Sequence, residues 1–225
     1  DWEACAELIK SNVRRSVYRF SYNTRVYYLK HDHPRGARNS IRSIWQCRAH
    51  LEFAAGAALA TAGVPAITCP AWGRAGRDSL LLTVGIDASD VEPMWREIRS
   101  QENERRKYLD GMAAFIASLH KAGVVHHDLH PGNVIVTRCP DSFRFYLVDL
   151  YGVHVHQTLR QRDRYNHVHW ARNIMRELDC AAEVLPILRA ASLCDAIDTA
   201  SDVWREILHR DIQRSGGFIG NQEIG

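Results

Sequence analysis

The chain has 225 residues, with 29 Lys and Arg against 26 Asp and Glu, a formal charge of +3, 46% hydrophobic and 24% charged residues. That balance is ordinary for a soluble globular protein and excludes a disordered chain, which needs fewer apolar residues and a larger net charge. A charge of +3 gives no ground for a nucleic-acid partner, and no stretch approaches the roughly 20 apolar residues that span a bilayer.

In chain order, Val17 to Tyr22 and Arg25 to Lys30 are β-prone runs separated by Asn23-Thr24, a hairpin signal. In the second run Val26, Tyr28 and Lys30 share a face, because strand side chains alternate. After a loop from His31 to Gly36, a helix is expected over about Arg38 to Ala62. It carries Ile41, Ile44, Trp45, Leu51, Ala55 and Leu59, and stops at Gly63 before Val64-Pro65. Leu80 to Ile86 reads as a buried strand, and Asp87 to Pro93 as an acidic connection. Tyr108, Met112, Phe115, Ile116 and Leu119 then give one apolar helix face, ending near Gly123. Two short apolar runs follow, Val134 to Val136 and Phe145 to Val148, and about three helices are expected from Leu159 to Ile212. The fold class is α+β: a small β-rich lobe over residues 1–86, then a mostly helical lobe over 87–225.

The cysteines, Cys5, Cys47, Cys69, Cys139, Cys180 and Cys194, are scattered and form no C-x-x-C pair. This argues against a zinc knuckle or a disulfide framework and suits a reducing cytosol. The pairs His31/His33, His154/His156 and His167/His169 lack nearby third and fourth ligands and read as loop or surface histidines. Asp1 and Glu3 do not begin a signal peptide, so a cytoplasmic location is expected, and the missing initiator Met marks a trimmed chain or a fragment.

The chemical signal is His126-His127-Asp128-Leu129-His130-Pro131-Gly132-Asn133, followed by Val134-Ile135-Val136 and then Leu147-Val148-Asp149-Leu150. Phosphoryl transfer requires little covalent chemistry from the protein. It needs a carboxylate to orient a hydroxyl, and oxygen ligands to hold Mg²⁺ on nucleotide phosphates. Asp128 is the candidate acceptor of the hydroxyl proton. Asn133 offers a neutral amide oxygen to a metal, and Asp149 an anionic one.

This string resembles the catalytic loop and metal segment of the protein-kinase-like superfamily. Within it the chain is similar to the lipopolysaccharide core kinases, which phosphorylate Kdo or heptose sugars; aminoglycoside and choline kinase-like enzymes have a related loop. Two further stretches favour the lipopolysaccharide kinases: VYYLKHDHPRGAR, and AHLEFAAGAALATAGVPAI. The resemblance covers about Val17 to Glu177. It implies a two-lobed fold, ATP and Mg²⁺ as cofactors, Lys30 on the nucleotide phosphates and Glu52 as its helix partner. The residues themselves lend support: a half-buried Lys30 needs a counter-charge, and Glu52 is the only acidic residue between Gly36 and Gly76.

The sequence departs from the protein-kinase pattern in several places. The segment that would cover the phosphates, Lys10 to Val17, reads KSNVRRSV and has no Gly-rich loop. Backbone amides of Ser11 to Val13 can still approach a phosphate, so Ser11 and Asn12 stand as candidate nucleotide-binding residues, with Arg14 or Arg15 adding charge. After Asp149 comes Leu150-Tyr151-Gly152, with no A-P-E beyond it, which counts against a regulated protein kinase and leaves Tyr151 and Gly152 without a role. His127 occupies a position where protein kinases often carry Arg, and His126 reads as a packing residue of the loop.

The expected partners are a nucleotide and a glycolipid or other sugar acceptor. Arg35, Arg38 and Arg42, with Arg160, Arg162 and Arg164, suggest peripheral contact with the inner membrane face. Two alternatives remain at this stage. A small-molecule phosphotransferase for cationic acceptors would draw on Asp179, Glu183, Asp195, Asp198, Asp202 and Glu206. A non-catalytic nucleotide-binding module is suggested by the missing Gly-rich loop.

Overall fold

The structure, a computed structural model, describes residues 5–33, 47–155 and 158–159, all within one compact unit, Asp1–Ala181. The two arginine clusters, His156, His167, His169, the acidic residues from Asp179 to Glu206 and all but Leu159 of the expected C-terminal helices lie outside the described residues.

Five strands form one antiparallel sheet: β1 (Glu7–Ser11), β2 (Arg15–Tyr22), β3 (Arg25–Asp32), β4 (Ala71–Ala75) and β5 (Asp78–Val84). Their spatial order is β1-β2-β3-β5-β4. The β2–β3 hairpin turns at Asn23 and Thr24, both with positive φ, the backbone that matches the right-handed twist of a two-residue hairpin. Strands β1 and β4 were not apparent from residue pattern, and both are sheet edges. Every residue of β1 is exposed, so no apolar alternation marks it. By contrast β5 buries Ser79, Leu81 and Thr83 in strict alternation, as a strand with one face on the core must.

Helix α1 spans Arg48–Thr61. The expected start near Arg38 is corrected: Cys47 is extended (φ −70°, ψ 109°) and flanks the first turn, so no helix runs unbroken through it. Ala49, Glu52, Ala55 and Leu59 make the buried face, at spacings of three and four. Leu51, expected on the apolar face, is 41% exposed. The stop signal acts as expected. Gly63 takes φ +71°, its N–H bonds the Ala60 carbonyl, and the Val64 N–H bonds the Leu59 carbonyl. This is a Schellman cap, which needs a residue free to adopt the left-handed region.

Beyond the sheet come β6 (Ser89–Asp90), α2 (Val91–Ile98), α3 (Glu102–Lys121), β7 (Val124–His126), a 3₁₀ turn (Pro131–Asn133), β8 (Val134–Arg138), β9 (Phe143–Leu147) and β10 (Val153–Val155). Strands β6-β8-β9 make a small sheet, and β7 pairs β10. The connection expected at Asp87 to Pro93 is in part helix α2. Pro93 falls in its first turn, where the missing N–H has no helical partner to lose, so it does not break the helix. The predicted α3 face is buried throughout: Tyr108, Met112, Phe115, Ile116 and Leu119.

That face meets an aromatic core. Tyr108 packs on Trp95, Phe143 and Phe145 with ring centroids 5.0–5.4 Å apart, and its buried hydroxyl donates to the Val91 carbonyl at 2.8 Å. Gly111 permits the approach of α3 to β9, because a Cβ there would collide with the Phe143 carbonyl oxygen. The chain leaving α1 is stitched to the same strand. The Ile67 N–H bonds the Leu147 carbonyl at 2.9 Å, and the Leu147 N–H bonds the Pro65 carbonyl at 3.2 Å. Asp149 follows two residues later.

Candidate active site

Strand β3 lies inside the five-stranded sheet, with Lys30 opposite Val17 of β2 and Leu81 of β5. Lys30 Nζ bonds Glu52 Oε2 at 2.8 Å, and the Glu52 side chain is wholly buried. Two arginines share that carboxylate. Arg15 of β2 donates from Nη2 to Glu52 Oε1, and Arg48, one turn before Glu52 on α1, donates from Nε to the same oxygen at 3.1 Å. Arg15 also grips Asp32, its cross-strand partner, through Nε at 2.7 Å and Nη2 at 3.2 Å. The fork geometry of a guanidinium suits this two-point bond.

Burial by itself would push the Glu52 carboxyl up. The charges of Lys30 and Arg15, and the hydrogen bonds from both, overcome it and hold the carboxyl at about 2. Burial would likewise lower the Arg15 pKa, but the bond to Asp32 and the charge of Glu52 drive it upward. A buried charge is tolerable only when paired and hydrogen-bonded, and here each buried ion has at least one partner of opposite sign.

Asp149 closes the network. Its Oδ1 lies 3.8 Å from Lys30 Nζ and its Oδ2 3.6 Å from Arg48 Nη2. Glu52, Lys30, Asp149 and Arg48 therefore alternate in charge around a ring, with Arg15 and Asp32 as a spur. The two contacts to Asp149 are longer than direct hydrogen bonds, so its oxygens face cations without being tied to them.

The second group of residues follows β7. His126 is buried. Its Nε2–H donates to the Asp149 carbonyl at 2.9 Å, and its Nδ1 accepts the Asp128 N–H at 3.1 Å. Both bonds require a neutral ring, and burial lowers the pKa against the pull of the Asp149 carbonyl. The imidazole thereby fixes the backbone of Asp128 to that of Asp149. The Asp128 carboxylate is left 81% exposed, with His130 Nε2 at 3.9 Å from Oδ2. Asn133 is buried; its Nδ2 donates to the Asp128 carbonyl at 2.8 Å, leaving Oδ1 as the atom available to a ligand. His130 Nδ1 accepts the Gly132 N–H at 3.1 Å and caps the 3₁₀ turn that carries Asn133.

The β1–β2 turn manages without glycine. Asn12 Oδ1 accepts the N–H groups of Arg14 and Arg15 at 2.8 and 2.9 Å, and the Asn12 N–H bonds the Arg15 carbonyl at 2.8 Å. Asn12 therefore shapes the turn with its side chain, and its own amide is taken up inside it. Ser11 Oγ pairs with Ser16 Oγ at 3.0 Å, which in turn meets His33 Nε2 at 3.1 Å.

The structure thus brings Lys30, Glu52 and Asp149 into contact, joins Asp128 and Asn133 to them through His126, and ties Asn12 to the network through Arg15. Sequence reading missed Arg48, although its i,i+4 spacing to a lone buried-type Glu was a visible signal. It gave Arg15 a phosphate role, where the structure pairs it with Asp32 and Glu52. Among the described residues no group of three or more His, Cys, Asp or Glu could hold a metal ion.

The lipopolysaccharide kinase (Kdo/WaaP) family model matches residues 4–179. Among solved structures the chain is similar to WaaP in complex with acyl carrier protein, with a TM-score of 0.53 and 21% identity over 84% of this chain and 89% of that one. It is also similar to WbdD, with a TM-score of 0.50 and 18% identity over 73% of this chain but only 36% of that one. At these identities the likeness is one of fold. No curated protein matches the chain.

Proposed function

The chain belongs to the lipopolysaccharide kinase (Kdo/WaaP) family and is a kinase, and from that premise we propose that it moves the γ-phosphate of ATP, with Mg²⁺, to a hydroxyl of an inner-core Kdo or heptose. The observation that carries this reading is the ring of Lys30, Glu52, Asp149 and Arg48, coupled to Asp128 and Asn133 through the His126 imidazole.

Each side chain suits a step. Lys30, held by a buried carboxylate, keeps its ammonium in one place and presents it to nucleotide phosphates. Ser11, at the end of β1, and the backbone of the β1–β2 turn cover those phosphates, with Asn12 holding the turn shut. Asp128, fixed at its amide and free at its carboxylate, takes the proton of the attacking hydroxyl. In-line transfer depends on such positioning more than on covalent chemistry.

The residues fit a divalent cation. Asn133 presents a neutral oxygen because its nitrogen is engaged, Asp149 presents an anionic one, and hard oxygen donors suit Mg²⁺. Two protein ligands leave the remaining positions to phosphate and water, as is usual for nucleotide-bound Mg²⁺. Bound there, the ion would neutralise phosphate charge during transfer.

In this reading residues 1–86 and 87–225 are the two lobes of a protein-kinase-like fold, and the acceptor is a glycolipid met at the inner membrane face. No described helix is long and apolar enough to cross a membrane. The test is transfer from γ-labelled ATP to lipid A-core, an aminoglycoside and a generic protein. Label on lipid A-core alone is expected. Label on the aminoglycoside alone moves the acceptor class, and label on none of the three overturns the reading. Asp149→Asn should abolish metal-dependent nucleotide binding, measured by equilibrium titration with and without Mg²⁺.

A further inference from the structure

Arg48 belongs to the ring but is given no step of its own above, and its one side chain joins three groups. Its Nε bonds the buried Glu52, its Nη2 faces Asp149 Oδ2, and its guanidinium lies 4.2 Å from the centroid of the Tyr151 ring. The first contact is within α1; the other two reach across to the segment between β9 and β10. Arg48 is 37% exposed, so it does not serve as core filling.

The segment it reaches is anchored at its middle, where Leu150 is wholly buried against Gly56 of α1 and the Gly152 carbonyl accepts the His127 N–H at 3.4 Å, but the side chains of Asp149 and Tyr151 lie outside that anchor. Asp149 to Gly152 is a tight link, with Gly152 at φ +80°, and its internal bonds are few and long. The Tyr151 N–H meets Asp149 Oδ1 at 3.4 Å, and the Val153 N–H meets the Leu150 carbonyl at 3.2 Å. His126 fixes the Asp149 carbonyl but leaves its carboxylate to rotate. A planar guanidinium can bond in its plane and stack with its face at the same time; an ammonium cannot do both.

We infer that Arg48 and Tyr151 form a latch that adds to the Leu150 anchor, holding the two side chains of the Asp149–Gly152 segment against the start of α1 and so aiming the Asp149 carboxylate. Arg48 is then a positioning residue acting through Asp149, and Tyr151 provides the face on which it rests. The inference rests on the reading of Asp149 as a cation ligand.

Hydrogen exchange and ligand binding test it separately. Amide exchange at residues 151 and 153 is followed in the free 225-residue chain, with the amides of β2, β3 and β5 as the control for folding. Affinity for Mn²⁺ with the non-hydrolysable analogue AMP-PNP is titrated by electron paramagnetic resonance. Tyr151→Ala, which changes no charge, and Arg48→Lys, which keeps it, should each speed exchange at 151 and 153. Each should also weaken Mn²⁺·AMP-PNP binding about threefold, the size expected of a half-exposed cation–π contact. The double variant should be no worse than either single one, and Tyr151→Phe should restore wild-type exchange and affinity. Unchanged exchange in Tyr151→Ala, or a double variant weakened by the product of the single effects, overturns the latch. Failure of the wild-type chain to bind Mn²⁺·AMP-PNP at all overturns the reading of Asp149 and the positioning role with it, and the exchange data tell that failure apart.

Discussion

The two halves of the site are held in opposite ways. Around Glu52, which is wholly buried, three cations and three carboxylates pair with one another, with Arg48 and Asp149 on the half-exposed side of the cluster. Around Asp128, the fixing is done by a neutral imidazole and an amide acting on backbone groups, and the carboxylate stands in solvent. The difference follows from what each half must meet. A cation that receives phosphate has to stay put while its ligand comes and goes, which favours a rigid, desolvated setting. A carboxylate that takes a proton from an incoming hydroxyl has to be reachable, which favours a fixed base and a free head.

The sharpest break in this comparison is Asp128→Ala. Transfer should fall by about 10²–10⁴ while nucleotide binding and the unfolding midpoint stay near wild type, because the carboxylate is exposed and meets His130 Nε2 at no closer than 3.9 Å. A matching loss of stability would mean that the two halves are not differently built. Glu52→Gln should do the reverse. Leaving Arg15, Lys30 and Arg48 without their shared counter-charge should cost about 3–5 kcal/mol, read by urea unfolding, with weaker nucleotide binding as a consequence.

Acid sharpens the same contrast. The Glu52 carboxyl is held at about 2 in the folded chain, below its unfolded value near 4.5. Its contribution is complete above the unfolded value and fades as pH falls from there towards 2. A stability-against-pH curve should therefore drop across that window in the wild type and be flatter in Glu52→Gln. A curve of equal slope in both would remove Glu52 as the source.

Two smaller substitutions separate ionic fixing from packing. Gly111→Ala, which pushes α3 off β9, should cost about 1–3 kcal/mol without altering the Glu52 ion pairs. Asn12→Ala, which removes a side-chain acceptor for two exposed amides, should cost about 1 kcal/mol and raise the KM for nucleotide more than it lowers kcat.

The legibility of the sequence followed the same division. The buried α3 face is visible because burial imposes a period on residue choice, and β5 because Leu80 to Ile86 is a largely apolar run, although the residues it buries in alternation include the polar Ser79 and Thr83. The edge strands β1 and β4 are not visible, since an exposed strand has no such constraint. Helix α2 carries the period too, with Val91, Met94, Trp95 and Ile98 buried, but its first turn falls inside the acidic stretch that reads as a connection ending at Pro93. In the site, Lys30 and Glu52 stood out as charges among apolar residues. The share that Arg15 takes in Glu52 was hidden, because it depends on cross-strand register and on which side of the sheet α1 lands, and neither is written locally.

The backbone stitch between the end of α1 and β9 has a mechanical consequence. The peptide groups of Pro65 and Ile67 are bonded to Leu147, two positions before Asp149, so the helix exit and the Asp149 strand form a fulcrum. A shift of the helix exit would therefore carry Leu147 with it by backbone hydrogen bonds, and the Asp149 carboxylate would move with the end of α1 rather than independently of it.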